Sequence, residues 1–313
     1  MSRAGSRSAA EIVRLRDEGG ELEARFVPEA GMICCSLRHR GEELLAQVGG
    51  LAEYEHDGHT MGIPLLYPWA NRLSAFGYDA GGRTVRIPHD PERIQLESHG
   101  LPIHGVIGGR QAWELTRAPA REGDPLSARL RWDDSVPELF ELFPFRHELV
   151  YDAHCARGRL TIDLTVHATG ADAVPMAFGF HPYIALPGAP RERWQVELPA
   201  MRRLALDDHQ IPAGIDRELD ARRFELGRLE FDDAFDRVSE PARFAVECGG
   251  RRVEVEFLHG FPCAQVFAPI AATCICFEPM AAPPNALRSG IGLRLLEPGA
   301  SARASFSLRV GDA

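Results

Sequence analysis

Glu278 and His181 are the two side chains whose surroundings suit them best to proton transfer. Glu278 follows the run Thr273 to Phe277, TCICF, which carries no charge and has the composition of a buried strand. Pro279 comes next and Pro283-Pro284 soon after, so the strand is expected to stop where the carboxylate appears. A carboxylate at the end of a buried strand is partly desolvated, which raises its pKa and makes it a better proton acceptor near neutral pH. Without such burial it is a glutamate at a surface turn. His181 is the single ionisable group in Phe178 to Leu186, FGFHPYIAL. Among Phe178, Phe180, Tyr183, Ile184 and Leu186 an imidazole tends to the neutral form unless a carboxylate compensates. Such a histidine is either a satisfied core residue or a proton-transfer group, and the segment alone leaves both open.

Other polar groups have the chemistry to hold a polyol. The stretch Gly62 to Leu73, GIPLLYPWANRL, delivers Asn71 and Arg72 at the end of an apolar, proline-containing run. An amide beside a guanidinium is a fork of donors suited to sugar hydroxyls, or else a loop arginine in water. His99 and His104 lie five apart in HGLPIHG, and Gly105 permits close backbone approach. Zinc is conceivable there, but HExxH is absent and no cysteines stand at ligand spacing. In Phe231 to Phe235, FDDAF, adjacent strand residues face opposite ways, so only one of Asp232 and Asp233 enters a given pocket. Gln265, in CAQVFAP, offers both a donor and an acceptor.

The elements that must position these groups are strands. Apolar residues alternate with polar ones at Leu22, Ala24 and Phe26; at Leu160, Ile162, Leu164 and Val166; at Val253, Val255 and Phe257; and at Phe306, Leu308 and Val310. A period of two marks strands with one buried face. Gly19-Gly20, Gly49-Gly50, Gly81-Gly82, Gly123-Asp124 and Gly249-Gly250 punctuate them as turns. Helical periodicity is scarce, with a short helix expected near Ala221 to Leu226. Ala118 to Pro125 and Leu186 to Pro190 read as loops between strand patterns rather than linkers. The expectation is an all-β protein, one domain over 1–313 with 1–10 as a loose leader, in which one extensive antiparallel sheet packs on another.

Composition narrows the chemistry. The chain has 313 residues and a formal net charge of -10, which argues against nucleic acid or an anionic membrane surface as the main partner. No apolar run approaches the roughly 20 residues that span a bilayer, and the N-terminal stretch lacks the apolar core of a secretory signal. All 35 basic residues are arginine, so Schiff-base catalysis, pyridoxal-phosphate attachment and a Walker-type phosphate loop are excluded. No GxGxxG follows a strand, which argues against a dinucleotide fold. Seven cysteines, with no CxxC pair, read as reduced, buried thiols in a cytoplasmic protein.

The runs NRL at Asn71, IHG at Ile103, FHPYIAL at Phe180, FDDAF at Phe231, AQVF at Ala264 and FEPMAAPPNAL at Phe277 together resemble the aldose 1-epimerases, or galactose mutarotases. The matches keep one order and span most of the chain. The resemblance implies a large antiparallel β-sandwich of the galactose mutarotase-like supersandwich type. It implies Glu278 as general base and His181 as general acid in the ring opening of a free aldohexose, with no cofactor and no metal. Arg72, His104, Asp232 and Gln265 are similar to the family's hydroxyl-binding residues, with Asn71 and Tyr183 beside them. Asp232 matches the family aspartate better than Asp233, although their adjacency leaves the choice open. Galactose mutarotases proper usually carry an asparagine shortly before the histidine and phenylalanine-asparagine after the tyrosine. Here Gly179-Phe180 and Ile184-Ala185 stand instead, and the chain looks like the broader bacterial branch. A hexose-6-phosphate mutarotase, or a sugar-binding protein without turnover, are the other functions this fold would allow.

Overall fold

The alternation at Leu160 to Val166 lies in the middle of a nine-stranded antiparallel sheet. From one edge the order is Arg222–Glu225, Gln195–Leu198, Ala242–Cys248, Arg251–His259, Ser301–Asp312, Arg159–Ala168, His147–Ala156, Leu126–Trp132 and Glu114–Arg117. The computed structural model describes residues 11–312, and the expected leader, 1–10, lies outside them. Long strands dominate here because strict alternation gives each a single apolar face, and a one-residue slip would expose the whole set. Leu160, Ile162, Leu164 and Val166 are all fully buried.

A second sheet, of eight strands, covers that apolar face. Its order is Pro212–Leu219, Met201–Leu206, Phe231–Asp236, Cys263–Ala268, Ile275–Met280, Gly179–Phe180 and Leu65–Leu66, with Tyr183–Ile184 also on the Ile275–Met280 strand. Aromatic rings join the two layers: Phe180 lies 4.8 Å from Phe306, and Phe277 lies 5.4 Å from Phe244. Each such ring contributes about 1.5–3 kcal/mol of burial. A four-stranded sheet, Val13–Arg16, Leu22–Val27, Ile33–His39 and Glu42–Glu43, adds a further layer, with Phe26 edge-on to Tyr151 at 6.1 Å.

Two expectations need correction. Residues 221–226 do not form a helix: Arg222–Glu225 is the edge strand of the nine-stranded sheet, paired with Gln195–Leu198. Phe224 packs on Phe231 at 5.8 Å, and cross-strand pairing overrides a weak helical pattern. The other concerns Glu278. Its strand spans Ile275–Met280 and runs straight through Pro279. On one side Tyr183 pairs with Cys276 and Gly179 with Met280, with no paired residues between them. Pro279 turns toward this interrupted edge, where a missing N–H breaks no ladder. Its carbonyl would lie 2.8 Å from a β-carbon at Gly179, so that close approach needs glycine.

Among the described residues three short α-helices occur, Leu51–Asp57, Pro137–Phe140 and Ala286–Ser289. None is long and apolar enough to cross a membrane. The cysteines are free, and all but Cys248 are buried.

Candidate active site

The pleat of the eight-stranded sheet sorts its residues into two sets. Phe180, Val266 and Phe277 face the sandwich core, and their neighbours His181, Gln265 and Glu278 face the other way. Gln265 is the cross-strand partner of Glu278. On the opposite side, the register of Gly179 with Met280 and Tyr183 with Cys276, carried through, sets His181 directly across from Glu278. Two strands, and the short gap between Phe180 and Tyr183 beside them, thus present Gln265, Glu278 and His181 in one row.

His181 Nε2 lies 3.2 Å from Glu278 Oε1, and both side chains are buried. Burial raises the Glu278 carboxyl well above its usual range, helped by the nearby Asp232 and opposed by Arg72. Burial likewise drives His181 well below the usual imidazole value, assisted by His104. Both shifts favour uncharged forms, as expected where water is excluded. Tyr183, two residues on and so on the same face, stacks on His181 at 4.2 Å between centroids and 8° between planes. Its hydroxyl is paired with Thr60 Oγ1 at 2.6 Å, which holds the ring as a platform.

Arg72 and His104 come from two loops bound to each other. Tyr67 bridges Gly105 and Arg72 bridges Ile103, while the His104 N–H donates to Asn71 O at 3.0 Å. Asn71 and His104 both adopt left-handed backbone, φ 56° and 63°. That conformation costs roughly 1–3 kcal/mol for a non-glycine residue and gathers at functional sites. Asn71 Oδ1 accepts from the Arg72 N–H at 2.8 Å and from Nη1 at 3.2 Å, so its work is to orient the guanidinium. Arg72 Nη2 donates to Asp232 Oδ2 at 3.2 Å, and Gln265 Nε2 donates to Asp232 Oδ1 at 2.6 Å. His104 stands edge-on to His181 at 5.4 Å, and burial pushes its pKa down to about 3.

The pleat also separates the two aspartates. Asp232 shares a face with Ala234, opposite Gln265, and meets Arg72. Asp233 faces the other side, where Arg203 Nη2 holds it at 2.6 Å. The two histidines of HGLPIHG part as well. His99 sits at the rim with Nδ1 2.8 Å from Glu97, its ring 5.3 Å from His209, while His104 turns inward. Among the described residues no three or more His, Cys, Asp or Glu side chains converge as a metal ion would need.

Some participants escaped the sequence reading. Glu97 accepts from the His99 and Leu101 N–H groups at 2.9 and 3.0 Å, and its other oxygen lies 3.7 Å from Arg72 Nε. An acid two residues before a His-Gly turn was the available signal for it. Asn285, in the APPNAL run, receives the Ser74 N–H on Oδ1 at 2.9 Å and donates its own N–H to Arg72 O at 2.9 Å. Thr60 left no signal.

Eleven buried side-chain polar atoms lack a hydrogen-bond partner among the described residues, and five of them belong to this site: Arg72 Nε, His104 Nδ1, His181 Nδ1, Gln265 Oε1 and Glu278 Oε2. Each such atom costs about 1–3 kcal/mol, so their gathering in one place points to a ligand rich in donors and acceptors.

The chain matches the family model of aldose 1-epimerase over residues 21–309. It belongs to that family. Among the relatives of this aldose 1-epimerase family member is the uncharacterized protein YihR of Escherichia coli, 25% identical over 279 residues, 83% of this chain and 86% of that one. The Slr1438 protein of Synechocystis shares the fold at a TM-score of 0.76 and 24% identity, with 100% of both chains covered. A galactose mutarotase-like protein of Clostridium acetobutylicum matches at 0.80 and 16%, over 97% of this chain and 96% of that one. The antiparallel layers described above are thus those of the galactose mutarotase-like fold.

Proposed function

We propose that the protein is an aldose 1-epimerase that interconverts the α and β anomers of a free aldohexose. The observation that carries this reading is the 3.2 Å contact of His181 Nε2 with Glu278 Oε1, both buried and both with proton affinities shifted toward each other. In water a carboxylate and an imidazolium differ by about two pKa units in favour of the ion pair. Burial narrows or reverses that gap, so one proton can rest on either partner. Ring opening needs such a pair.

Glu278 as carboxylate takes the proton of the O1 hydroxyl while His181 as imidazolium gives one to the ring oxygen. The C1–O5 bond breaks, leaving an aldehyde, a carboxylic acid and a neutral imidazole. The aldehyde turns about C1–C2. His181 then removes the O5 proton as O5 attacks the other face of C1, and Glu278 returns a proton to O1. The pair holds the same charge at start and finish, and neither a cofactor nor a covalent intermediate is needed. Two positioned groups of this kind each contribute roughly 10²–10⁴-fold. Arg72, Asp232, Gln265 and His104 hold hydroxyls, with Asn71 and Tyr183 fixing the guanidinium and the imidazole.

A sugar phosphate fits less well. Arg72 is shared between Asp232 and Glu97, and Arg202 is paired with Asp236. A dianion at this face would have to compete with carboxylates already in place. A sugar-binding protein without turnover would have no use for a matched acid and base. Polarimetry of α-glucose and α-galactose tests the reading. Acceleration by the wild type that is lost in Glu278→Gln and His181→Asn supports it, and equal rates for Glu278→Gln and wild type would overturn it.

A further inference from the structure

The row of Gln265, Glu278 and His181 has a second row beside it on the same face of the sheet. One pleat away, the register sets Asp232 against Phe267, Phe267 against Cys276 and Cys276 against Tyr183. Phe267 therefore stands between Asp232 and Cys276 and two residues from Gln265 on its own strand. Its ring centre lies 5.9 Å from that of His181, with the two planes inclined at 73°. It packs on Tyr183, Cys274 and Cys276 rather than on the core between the sheets.

Along the Cys263–Ala268 and Ile275–Met280 strands every residue is buried except Phe267, which is partly exposed. Across from it the Asp232 side chain is 33% exposed, while Gln265, Glu278 and His181 are buried. Solvent thus meets this face at an aromatic ring and a carboxylate, next to the reacting groups it does not reach. A ring left open to water on an otherwise buried strand gains from any apolar surface laid on it.

We propose that Phe267 is a sugar-contact residue: a C–H face of the pyranose lies on its ring while hydroxyls bond to Asp232, Gln265 and Arg72. This inference rests on the mutarotase reading above and adds to it the group that holds the apolar side of the sugar. A pyranose carries its hydroxyls around its rim and C–H bonds on its two faces. Each of those hydrogens sits on a carbon bonded to oxygen, so it is slightly positive and suits the negative face of an aromatic ring. Arg72 and Gln265 both donate to Asp232, so the polar groups for the rim are already tied together beside the phenyl ring.

The experiment follows anomerisation of α-galactose and α-glucose by the wild type and by Phe267→Ala, Phe267→Leu and Phe267→Trp. Phe267→Ala should raise KM about tenfold and change kcat by no more than about twofold, because small apolar contacts in a pocket are worth roughly 10–200-fold. Phe267→Leu, which restores apolar volume without a π face, should recover part of that loss, and Phe267→Trp most of it. The tryptophan emission of Phe267→Trp should also change on titration with galactose. Wild-type emission, which comes from the buried Trp69, Trp113, Trp132 and Trp194, should not. A fall in kcat at constant KM in Phe267→Ala would make the ring a support for His181 and overturn the inference. So would an unchanged KM in Phe267→Ala, or an emission of Phe267→Trp that galactose does not move. If Phe267→Ala does not fold, the emission titration decides alone. Each of these outcomes leaves the mutarotase reading in place. No acceleration of either sugar by the wild type would overturn that reading, and this inference with it.

Discussion

The two large sheets share one core and differ in what they do with their second face. In the nine-stranded sheet the outward residues are charges that pair across strands: Arg159 and Arg243 on Glu256, and Arg252 on Glu197 and Glu247. In the eight-stranded sheet the outward face of the central strands is itself buried, and it holds Gln265, Glu278 and His181. One sheet holds these outward charges in salt bridges at its surface. The other leaves Glu278 Oε2, His181 Nδ1 and Gln265 Oε1 unpartnered in a dry place. On the proposed mechanism, stability and chemistry are divided between two layers that touch through Phe180, Phe277, Phe306 and Phe244.

Substitutions that separate these roles test the division. The largest effect is expected at Glu278→Gln, which should lower kcat by about 10²–10⁴-fold. The same change should not destabilise the protein, because it removes a buried ionisable group. The folded-state pKa of Glu278 lies above its unfolded value, so the native state retains a proton that the unfolded state has released. Wild-type stability therefore falls as pH rises from about 4.5 through the raised value. Thermal melts should show the variant gaining on the wild type between pH 5 and pH 9, and a variant that loses ground over that range would contradict this account.

Leu164→Ala, in the middle of the nine-stranded sheet, should do the reverse. Leu164 is fully buried and paired with Tyr151 and Ala304, so truncation should cost about 2–5 kcal/mol by denaturant titration. The kcat of the folded fraction should not change, and a large fall in it would show that the two layers are not separable.

His147 offers a pH test on the stability side. Its Nδ1 bonds Phe145 O and its Nε2 bonds Tyr67 OH, both at 2.6 Å, and it stacks on Trp132. Burial pushes its pKa down to about 3. Below about pH 6.5 the unfolded chain takes up a proton that the native His147 refuses, so stability falls by up to about 1.4 kcal/mol per pH unit from this residue. His147→Gln should flatten the acid limb of the stability–pH curve, and an unchanged slope would count against it.

A smaller effect is expected at Glu97→Gln. Removing the charge that faces Arg72 Nε and anchors the His99–Leu101 turn should raise KM about tenfold, roughly 1.4 kcal/mol, and alter kcat little. A fall in kcat at constant KM would move Glu97 into the reacting group. The smallest effect is expected at Arg129→Ala on the outer face, where the partner Glu114 is largely exposed. Neither the melting midpoint nor kcat should move measurably.

The first sheet was legible because alternation is a local signal. Leu160 to Val166 and Phe306 to Val310 each announce a strand and its buried face without reference to the rest of the chain. The second sheet was harder to read. ICFEPM has no alternation, since both faces are buried, and its proline suggested an end where the strand continues. Residues 222–225 form a strand against their own weak helical pattern for a related reason: a short edge strand is fixed by its partner more than by its own pattern. FDDAF could not say which aspartate faces Arg72 and Gln265, and the cross-strand partners Ala234 and Gln265 decided it.

By itself, then, the sequence determined the β class and the types and order of the candidate proton-transfer groups, because periodicity and side-chain chemistry are properties of short segments. Only the tertiary structure decided that His181 and Glu278, 97 positions apart, meet at 3.2 Å with Arg72 and Asp232 beside them. Contact between distant segments depends on strand register and on which face of the pleat is turned outward, and both are set by pairing across the whole sheet.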